Sequence, residues 1–198
     1  MTPLLKFSVI KTDFDVLLGY EGQIVILVPT DGKFDVVGSF TNKVMNGALD
    51  RFLKSEVFEK LSVGKAQSLS YPAGLMAKSV IVAKINPNST ISETRNCGVE
   101  IAKLATCEKI LLASGKFKRI ADLVEGISMR NYEYLDQKTN GNPKPLDVRL
   151  MVKNIGNQAT EIDLKLAVVD GMFFTRDLTN APANVLTTTN FAEQLCAM

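Results

Sequence analysis

Ser79-Val-Ile-Val-Ala-Lys-Ile85 is the stretch that decides the fold. Its run of Val and Ile predicts a strand in the middle of a sheet. Asn86-Pro-Asn88 ends this strand, and a helical spacing of apolar residues begins shortly after it over Ile91–Thr106, with Ser92 in its first turn or at its N-cap. A strand that passes through a short turn into a helix is the repeating unit of an α/β fold.

The same alternation extends in both directions along the chain. Strands are predicted at Leu4–Ile10, Gln23–Val28, Lys65–Tyr71, Lys109–Ser114 and Leu146–Val152. Helices are predicted at Thr41–Ser55, Ile120–Leu135 and Gln158–Leu178. The turn Pro29-Thr-Asp-Gly32 is expected to join its strand to Asp35–Gly38 as a hairpin. The order predicts a substantially parallel sheet with helices on both faces.

The C-terminal third has a different organisation. At ~1.5 Å per residue, the amphipathic stretch from Gln158 would form a helix of roughly 30 Å, and Asn180-Ala-Pro182 is expected to stop it. A final helix, capped by Thr187 or Thr189, begins shortly before the sequence stops, which suggests a chain cut inside a larger protein. We therefore expect an α/β domain over 1–155, a linker helix over 156–180 and the start of another domain over 181–198.

Composition excludes several classes of protein. The 198 residues are 46% hydrophobic and carry a net charge of +2, so the chain is not disordered. The near-neutral charge argues against a strong nucleic-acid surface, although Lys138, Lys144, Arg149 and Lys153 leave a weak one open. Apolar runs are far shorter than the ~20 residues of a membrane helix. The scattered cysteines and the missing secretory signal favour a cytosolic protein with reduced thiols.

The absence of histidine is the sharpest compositional fact. It removes Ser-His-Asp and Cys-His triads and HExxH zinc sites. Glycine-rich phosphate loops are also missing, and Gly115-Lys-Phe-Lys-Arg119 is better interpreted as a solvated helix start. Asp13 and Asp15 would share one face of a strand, but they are more often a surface pair than a metal site. None of these residues forms a recognisable active site.

A resemblance changes this interpretation. Arg176-Asp-Leu-Thr-Asn-Ala-Pro-Ala-Asn-Val-Leu-Thr187 resembles a segment of the leucyl aminopeptidase family of metallopeptidases. In that family a long linker helix ends in the motif Arg-Asp/Glu-Leu-x-Asn-x-Pro-Ala-Asn-x-Leu-Thr. Thr188 stands where the family usually has proline. A weaker match, Leu123-Val-Glu-Gly-Ile-Ser-Met-Arg-Asn-Tyr-Glu-Tyr-Leu135, resembles a family helix that precedes a loop with Lys-Pro and a strand. Lys144-Pro145 and Leu146–Val152 supply the loop and the strand.

The resemblance implies a fold and a parent activity. The fold is a macro-like three-layer α/β domain with a mostly parallel mixed sheet, followed by a long linker helix. Family members are cytosolic, mostly homohexameric aminopeptidases, and release N-terminal residues, typically Leu, from peptides. They hold two divalent metals, Mn or Zn, in a C-terminal domain through carboxylates and a lysine. That domain's Asn-Thr-Asp-Ala-Glu-Gly-Arg motif is absent here, so no cofactor is expected in this chain, and the chain alone is expected to be inactive.

The matched residues are expected to have a structural role. Arg176, Asp177, Asn180, Pro182 and Asn184 would form a hinge toward the catalytic domain, with Asn184 at the edge of the substrate cleft as the functional alternative. We expect no catalytic or metal-binding residue in this chain. The expected partners are its own catalytic domain and further copies of the chain. The alternative function is a stand-alone binding module for nucleic acid or an ADP-ribose-like ligand, which the loops poor in glycine and the low charge disfavour.

Overall fold

A six-stranded sheet runs through the part of the molecule that the computed structural model describes, which is residues 5–115, 117–135, 145–153, 155–156 and 158–197. The strand order is β1-β6-β5-β2-β4-β3. The first five of these are mutually parallel, and β3 pairs antiparallel with β4 at the edge. The strands are β1 (Lys6–Lys11), β2 (Gln23–Pro29), β3 (Ala66–Ser70), β4 (Ser79–Ile85), β5 (Lys109–Ala113) and β6 (Asp147–Val152).

Helices cover both faces of this sheet. One face packs against helices α1 to α4 and the other against α5 to α7, and each face has its own apolar core. The helices are α1 (Phe14–Leu18), α2 (Val36–Val44), α3 (Ala48–Leu53), α4 (Glu56–Lys60), α5 (Ile91–Lys103), α6 (Ile120–Arg130), α7 (Gln158–Asn180) and α8 (Thr188–Cys196). The predicted three-layer α/β fold with a mostly parallel mixed sheet and a long C-terminal helix is confirmed.

The deciding strand and its helix form as predicted. Strand β4 is almost wholly buried between β2 and β3. Thr90 caps α5 in a capping box: its hydroxyl accepts from the Glu93 N–H, and the Glu93 carboxylate accepts from the Thr90 N–H. These bonds to Thr90 hold the pKa of Glu93 below its usual value. Ser92 therefore lies in the first turn of the helix, which is one of the two predicted positions.

Helices α5 and α6 pack with their backbones in close contact. The contact is possible because Gly98 of α5 faces Gly126 of α6. A Cβ at Gly98 would overlap the Leu123 carbonyl oxygen, and one at Gly126 would overlap the Arg95 carbonyl oxygen. Two opposed glycines let the helices approach more closely than any side chain would allow, and this contact fixes the surface on which α7 lies.

The predicted hairpin after β2 is wrong. Asp35 does not begin a strand, because its carboxylate accepts a hydrogen bond from the Gly38 N–H at 2.7 Å and caps α2. The predicted helix over Thr41–Ser55 is also interrupted. Asn46 and Gly47 have φ angles of 52° and 75°, so the chain leaves the helical conformation between α2 and α3.

Other predicted boundaries shift by less. The helix predicted over Ile120–Leu135 ends at Arg130. Asp13 and Asp15 lie at the start of α1 rather than on a strand, where Asp13 is the N-cap. Leu4, Lys116, Lys138, Lys144 and Met198 belong to predicted features but lie outside the described residues. Within the described residues, no helix is long and apolar enough to cross a membrane.

Candidate functional site: the clamp on the long helix

Helix α7 lies on the α5–α6 face through one apolar stripe and one cluster of charges. The stripe consists of the buried residues Ile162, Val169 and Phe173, whose spacing places them on one side of the helix. Phe173 is among the largest fully buried side chains in the described residues. The helix therefore forms part of the packed core and does not extend freely into solvent.

The charged cluster fixes the first half of α7. Lys165 Nζ lies 2.8 Å from Asp122 Oδ1 and 3.1 Å from Glu125 Oε2. The Glu125 side chain is only 1% exposed, and Arg95 of α5 reaches it with Nε at 2.9 Å from Oε2 and Nη2 at 2.8 Å from Oε1. Hydrogen bonds to Asp122 and Glu125 raise the pKa of Lys165. The nearly buried Glu125 carboxylate of α6 thus connects α6 to α5 through Arg95 and to α7 through Lys165.

Tyr132, just after α6, holds the other end of α7. The Arg176 guanidinium carbon lies 3.9 Å from the centre of the Tyr132 ring. The Tyr132 hydroxyl donates to Asp177 Oδ1 at 2.9 Å and accepts from Asn180 Nδ2 at 2.9 Å. The ring edge packs on Phe173, with 5.1 Å between ring centres. We call these five residues the Tyr132 clamp.

The pKa of Tyr132 is raised above its usual value, and a phenol is neutral at pH 7. Burial is the main cause that raises the pKa of Tyr132; its bond to Asp177 also raises it, and the bond from Asn180 lowers it. The neutral hydroxyl can then donate one hydrogen bond and accept another. This single group satisfies two side chains of α7 at once, so the clamp specifies both the position and the rotation of the last helical turn.

Three of the five predicted hinge residues belong to the clamp, and the other two do not. Arg176, Asp177 and Asn180 all contact Tyr132. Pro182 and Asn184 are exposed in the turn after the helix. The Pro182 carbonyl accepts hydrogen bonds from the backbone N–H groups of residues 185 and 186, at 2.9 Å each. The turn is thus closed by the backbone.

Sequence reasoning did not predict Tyr132 as the partner of these residues. Tyr132 lies inside the weaker matching segment, and Arg176 to Asn180 lie inside the stronger one. The sequence feature that could have pointed to Tyr132 is that both segments resemble the same family. In the structure the two segments meet at the Tyr132 hydroxyl group.

The outer side of α7 is also apolar. Leu164 and Val168 are 66% and 55% exposed, and Met172 continues the row one turn later. Beside this row, α7 and α8 enclose an open groove of about 540 Å³. The groove is lined by Phe174, Leu178, Leu186, Phe191 and Leu195, among others. Thr187 caps α8 as predicted, its hydroxyl accepting from the Asn190 N–H.

Other candidate chemistry does not assemble in the described residues. There, no three cysteine or acidic side chains lie close enough together to hold a metal ion. Arg119 is the N-cap residue of α6, and its Nη1 lies 3.6 Å from Asp122 Oδ2. Arg149 lies 3.9 Å from Asp147. The three cysteines are free, and burial raises the pKa of Cys97 to about 12.

The fold and the clamp define a class: a macrodomain-like α/β domain with a long helix fixed to one face. Tomato leucine aminopeptidase, solved as a point mutant, matches all of this chain and 42% of its own length, with a TM-score of 0.75 and 16% identity. The bottromycin maturation enzyme BotP, solved in complex with Mn, matches 88% of this chain and 35% of its own, with a TM-score of 0.62 and 16% identity. A Trypanosoma brucei macrodomain in complex with ADP covers 81% of this chain and 69% of its own, with a TM-score of 0.57 and 10% identity.

Sequence comparison identifies two proteins that are similar to the whole chain. Probable cytosol aminopeptidases of Dinoroseobacter shibae and Cereibacter sphaeroides are 34% and 35% identical over all 198 residues. The chain spans about two fifths of the length of each, 41% and 40%. No family model matches the sequence. The resemblance to the N-terminal domain and linker helix of the leucyl aminopeptidase family is confirmed, and the cytosolic prediction agrees with the names of both relatives.

Proposed function

We propose that this chain is the N-terminal, non-catalytic part of a cytosolic leucyl aminopeptidase, whose whole protein hydrolyses N-terminal residues, typically Leu, from peptides. The observation that carries the proposal is the match over the whole chain to two proteins named as probable cytosol aminopeptidases. The domain boundaries fit this assignment, with the α/β domain over 1–155, the linker helix over 156–180 and the start of the catalytic domain over 181–198.

The role of the chain is then to position the segment that comes after α7. The charged cluster around Glu125 and the Tyr132 clamp hold α7 at two points, in its first half and in its last turns. A helix held twice has a defined direction, so the chain that leaves it at Pro182 starts from a defined place. Arg176, Asp177 and Asn180 act here as positioning residues, and Pro182 and Asn184 belong to the turn that redirects the chain.

The two divalent metals of the proposed parent enzyme, Mn or Zn, do not fit the described residues. A two-metal centre needs several ligands converging on one point, and no group of three cysteine or acidic side chains does so in the described part of the chain. We assign the metals to the part of the relatives that this chain does not match. No catalytic step is assigned to any residue here.

The exposed apolar side of α7 and α8 is the surface we propose for contact with the rest of the enzyme. Leu164, Val168 and Met172 form a second apolar row, apart from the row that is buried. Apolar residues on two sides are typical of a helix that lies between two packed layers.

We also propose that the whole protein forms homohexamers, as the family does.

An activity assay of two proteins tests the proposal. The first is this 198-residue chain with a leucyl chromogenic substrate and Mn²⁺ or Zn²⁺, and we expect no turnover. The second is the Cereibacter sphaeroides relative with its matching two fifths replaced by this chain, and we expect turnover. The same chimera with Arg176→Ala removes one clamp contact and should fold less stably. Robust turnover by the chain alone, or an inactive but folded chimera, would contradict the proposal.

The alternative of a module for an ADP-ribose-like ligand is disfavoured by the charge around Gly115. A phosphate group would need donors near Gly115, the glycine just after β5. Instead the Asp35 carboxylate lies against Gly115 at the place where a Cβ would sit. Carboxylates repel phosphates because both are negatively charged, so an ADP-ribose-like ligand is disfavoured here. A DNA titration at two salt concentrations would still detect a nucleic-acid surface.

A further inference from the structure

A crevice at the carboxyl ends of the central strands is not used by the proposed function. It has a volume of about 430 Å³ and lies where β2, β4 and β5 end. The chain leaves β2 toward the α1–α4 face and leaves β5 toward the α6 face. Open α/β sheets bind their ligands at such switch points, because the diverging chains leave a gap there. The volume falls within the range of small-molecule sites.

The walls of the crevice are mostly apolar. Leu27 and Pro29 come from β2, Ile85 and Pro87 from β4 and the turn after it, and two phenyl rings close the sides. The rings belong to Phe34 and Phe117. Such walls favour a ligand with a compact apolar or aromatic body, since burying that body releases water from both surfaces.

The polar side chains that line the crevice in the described residues are Asp31, Lys33, Asp35 and Ser114. Asp31 and Lys33 form an ion pair at 3.8 Å, so their charges offset each other. Asp35 uses only Oδ1 to cap α2, at 2.7 Å from the Gly38 nitrogen. Its Oδ2 lies against Gly115, whose φ of 58° and missing side chain make room for the carboxylate. Among the described lining residues, Oδ2 of Asp35 is the charged acceptor left to meet a ligand.

From this geometry we propose that the crevice binds a small primary amine with an apolar body, whose ammonium group pairs with Asp35 Oδ2. The phenyl rings of Phe34 and Phe117 hold the body of the ligand. A protonated amine matches the negative charge, and a charge-assisted hydrogen bond is roughly twice as strong as a neutral one. The same carboxylate disfavours anionic ligands by charge repulsion. This inference does not depend on the peptidase assignment.

The test compares three probes of equal size on the whole chain: 2-phenylethylamine, 2-phenylethanol and phenylacetate. Amide NMR shifts at Gly38, Ser114 and Gly115 report binding, and calorimetry gives the dissociation constants. We expect the amine to shift these three signals and to bind at least tenfold more tightly than the alcohol, and we expect no binding of the acid. Equal binding of amine and alcohol, binding of the acid, or no shift with the amine at about 10 mM would overturn the proposal.

Two variants localise the interaction. Asp35→Asn keeps an oxygen acceptor for the α2 cap and removes the charge, so the amine should bind at least tenfold more weakly. Asp31→Asn is the matched control, and it should change amine binding less than twofold because Asp31 is already paired with Lys33. Equal losses in both variants would indicate diffuse acidic attraction and would contradict a pair at Asp35. The probe comparison stands even if Asp35→Asn does not fold.

Discussion

The Tyr132 hydroxyl can be tested by removing one oxygen atom. Tyr132→Phe keeps the ring and loses the hydrogen bond to Asp177 and the one from Asn180, both 2.9 Å long. A net hydrogen bond contributes about 0.5–1.5 kcal/mol, and one to a charged acceptor contributes more. Since Asn180 is exposed and its amide can turn to water, we expect the free energy of unfolding to fall by about 1–2 kcal/mol in total.

Removing the Tyr132 ring as well should lower the free energy of unfolding further. Tyr132→Ala also deletes the contact with the Arg176 guanidinium, worth about 0.5–1 kcal/mol at an exposed site. It deletes the edge-on pair with Phe173, worth about 0.5–1.5 kcal/mol. Because such contributions are not additive for residues in contact, we expect a total loss of about 3 kcal/mol, well above that of the phenylalanine variant.

Urea unfolding followed by far-ultraviolet circular dichroism measures both changes, since the chain has no Trp. Tyr71→Phe is the control, because Tyr71 is 88% exposed and should give a change near zero. Hydrogen exchange of residues 173–180 should accelerate in the Tyr132 variants only. The clamp would not exist as described if Tyr132→Phe unfolded within about 0.3 kcal/mol of the control. The same conclusion would follow if Tyr132→Phe and Asp177→Asn showed no coupling in a double-mutant cycle.

The remaining predictions concern the surroundings of α7 and α5. Lys165→Met should lower the unfolding free energy by about 1–3 kcal/mol, because the nearly buried Glu125 then keeps Arg95 as its one cationic partner among the described residues. An unchanged urea midpoint would contradict this. Gly126→Ala should destabilise the fold by about 3 kcal/mol or more, because the added Cβ overlaps backbone atoms. Gly171→Ala has open space around it and should stabilise the fold by about 0.5–1 kcal/mol. The melting temperatures of the two variants should therefore move in opposite directions. Because the pKa of Glu93 is lowered by folding, its contribution is present at neutral pH and is lost as the pH falls through the folded pKa. In Glu93→Gln, stability measured by urea unfolding should thus decline less steeply than in the natural chain between about pH 5 and pH 3.

The central layers of the fold were predictable, because each buried strand is a short apolar run bounded by turn residues. Strand β4 and helix α5 show this well: the change from a buried apolar run to a period of 3.6 occurs at Asn86-Pro-Asn88. The region after β2 was not predictable in the same way. Asp35 suits a turn, a strand end and a helix cap, and only its capping bond to Gly38 decides among them.

The candidate site could be predicted in part. Resemblance to a family pointed to Arg176, Asp177 and Asn180, but no spacing rule relates them to Tyr132, which lies 45 and 48 residues before its two hydrogen-bond partners. Tertiary packing of α7 on α6 creates that contact. The second apolar row of α7 was likewise not predicted. A period of 3.6 in the apolar residues indicates one apolar side of a helix, and it does not distinguish a helix with one apolar side from a helix with two.

The position of β1 has a consequence for the synthesis of the chain. In the described part of the chain, β1 is the first strand in the sequence and its one neighbour in the sheet is β6, the last strand to be synthesised. A ribosome adds about 5–20 residues per second, so β1 waits on the order of ten seconds for its partner. An unpaired strand is an aggregation hazard during such a wait, and a lysine at each end, Lys6 and Lys11, counters it by charge. The first strand of the chain thus completes the sheet only after every other strand has left the ribosome.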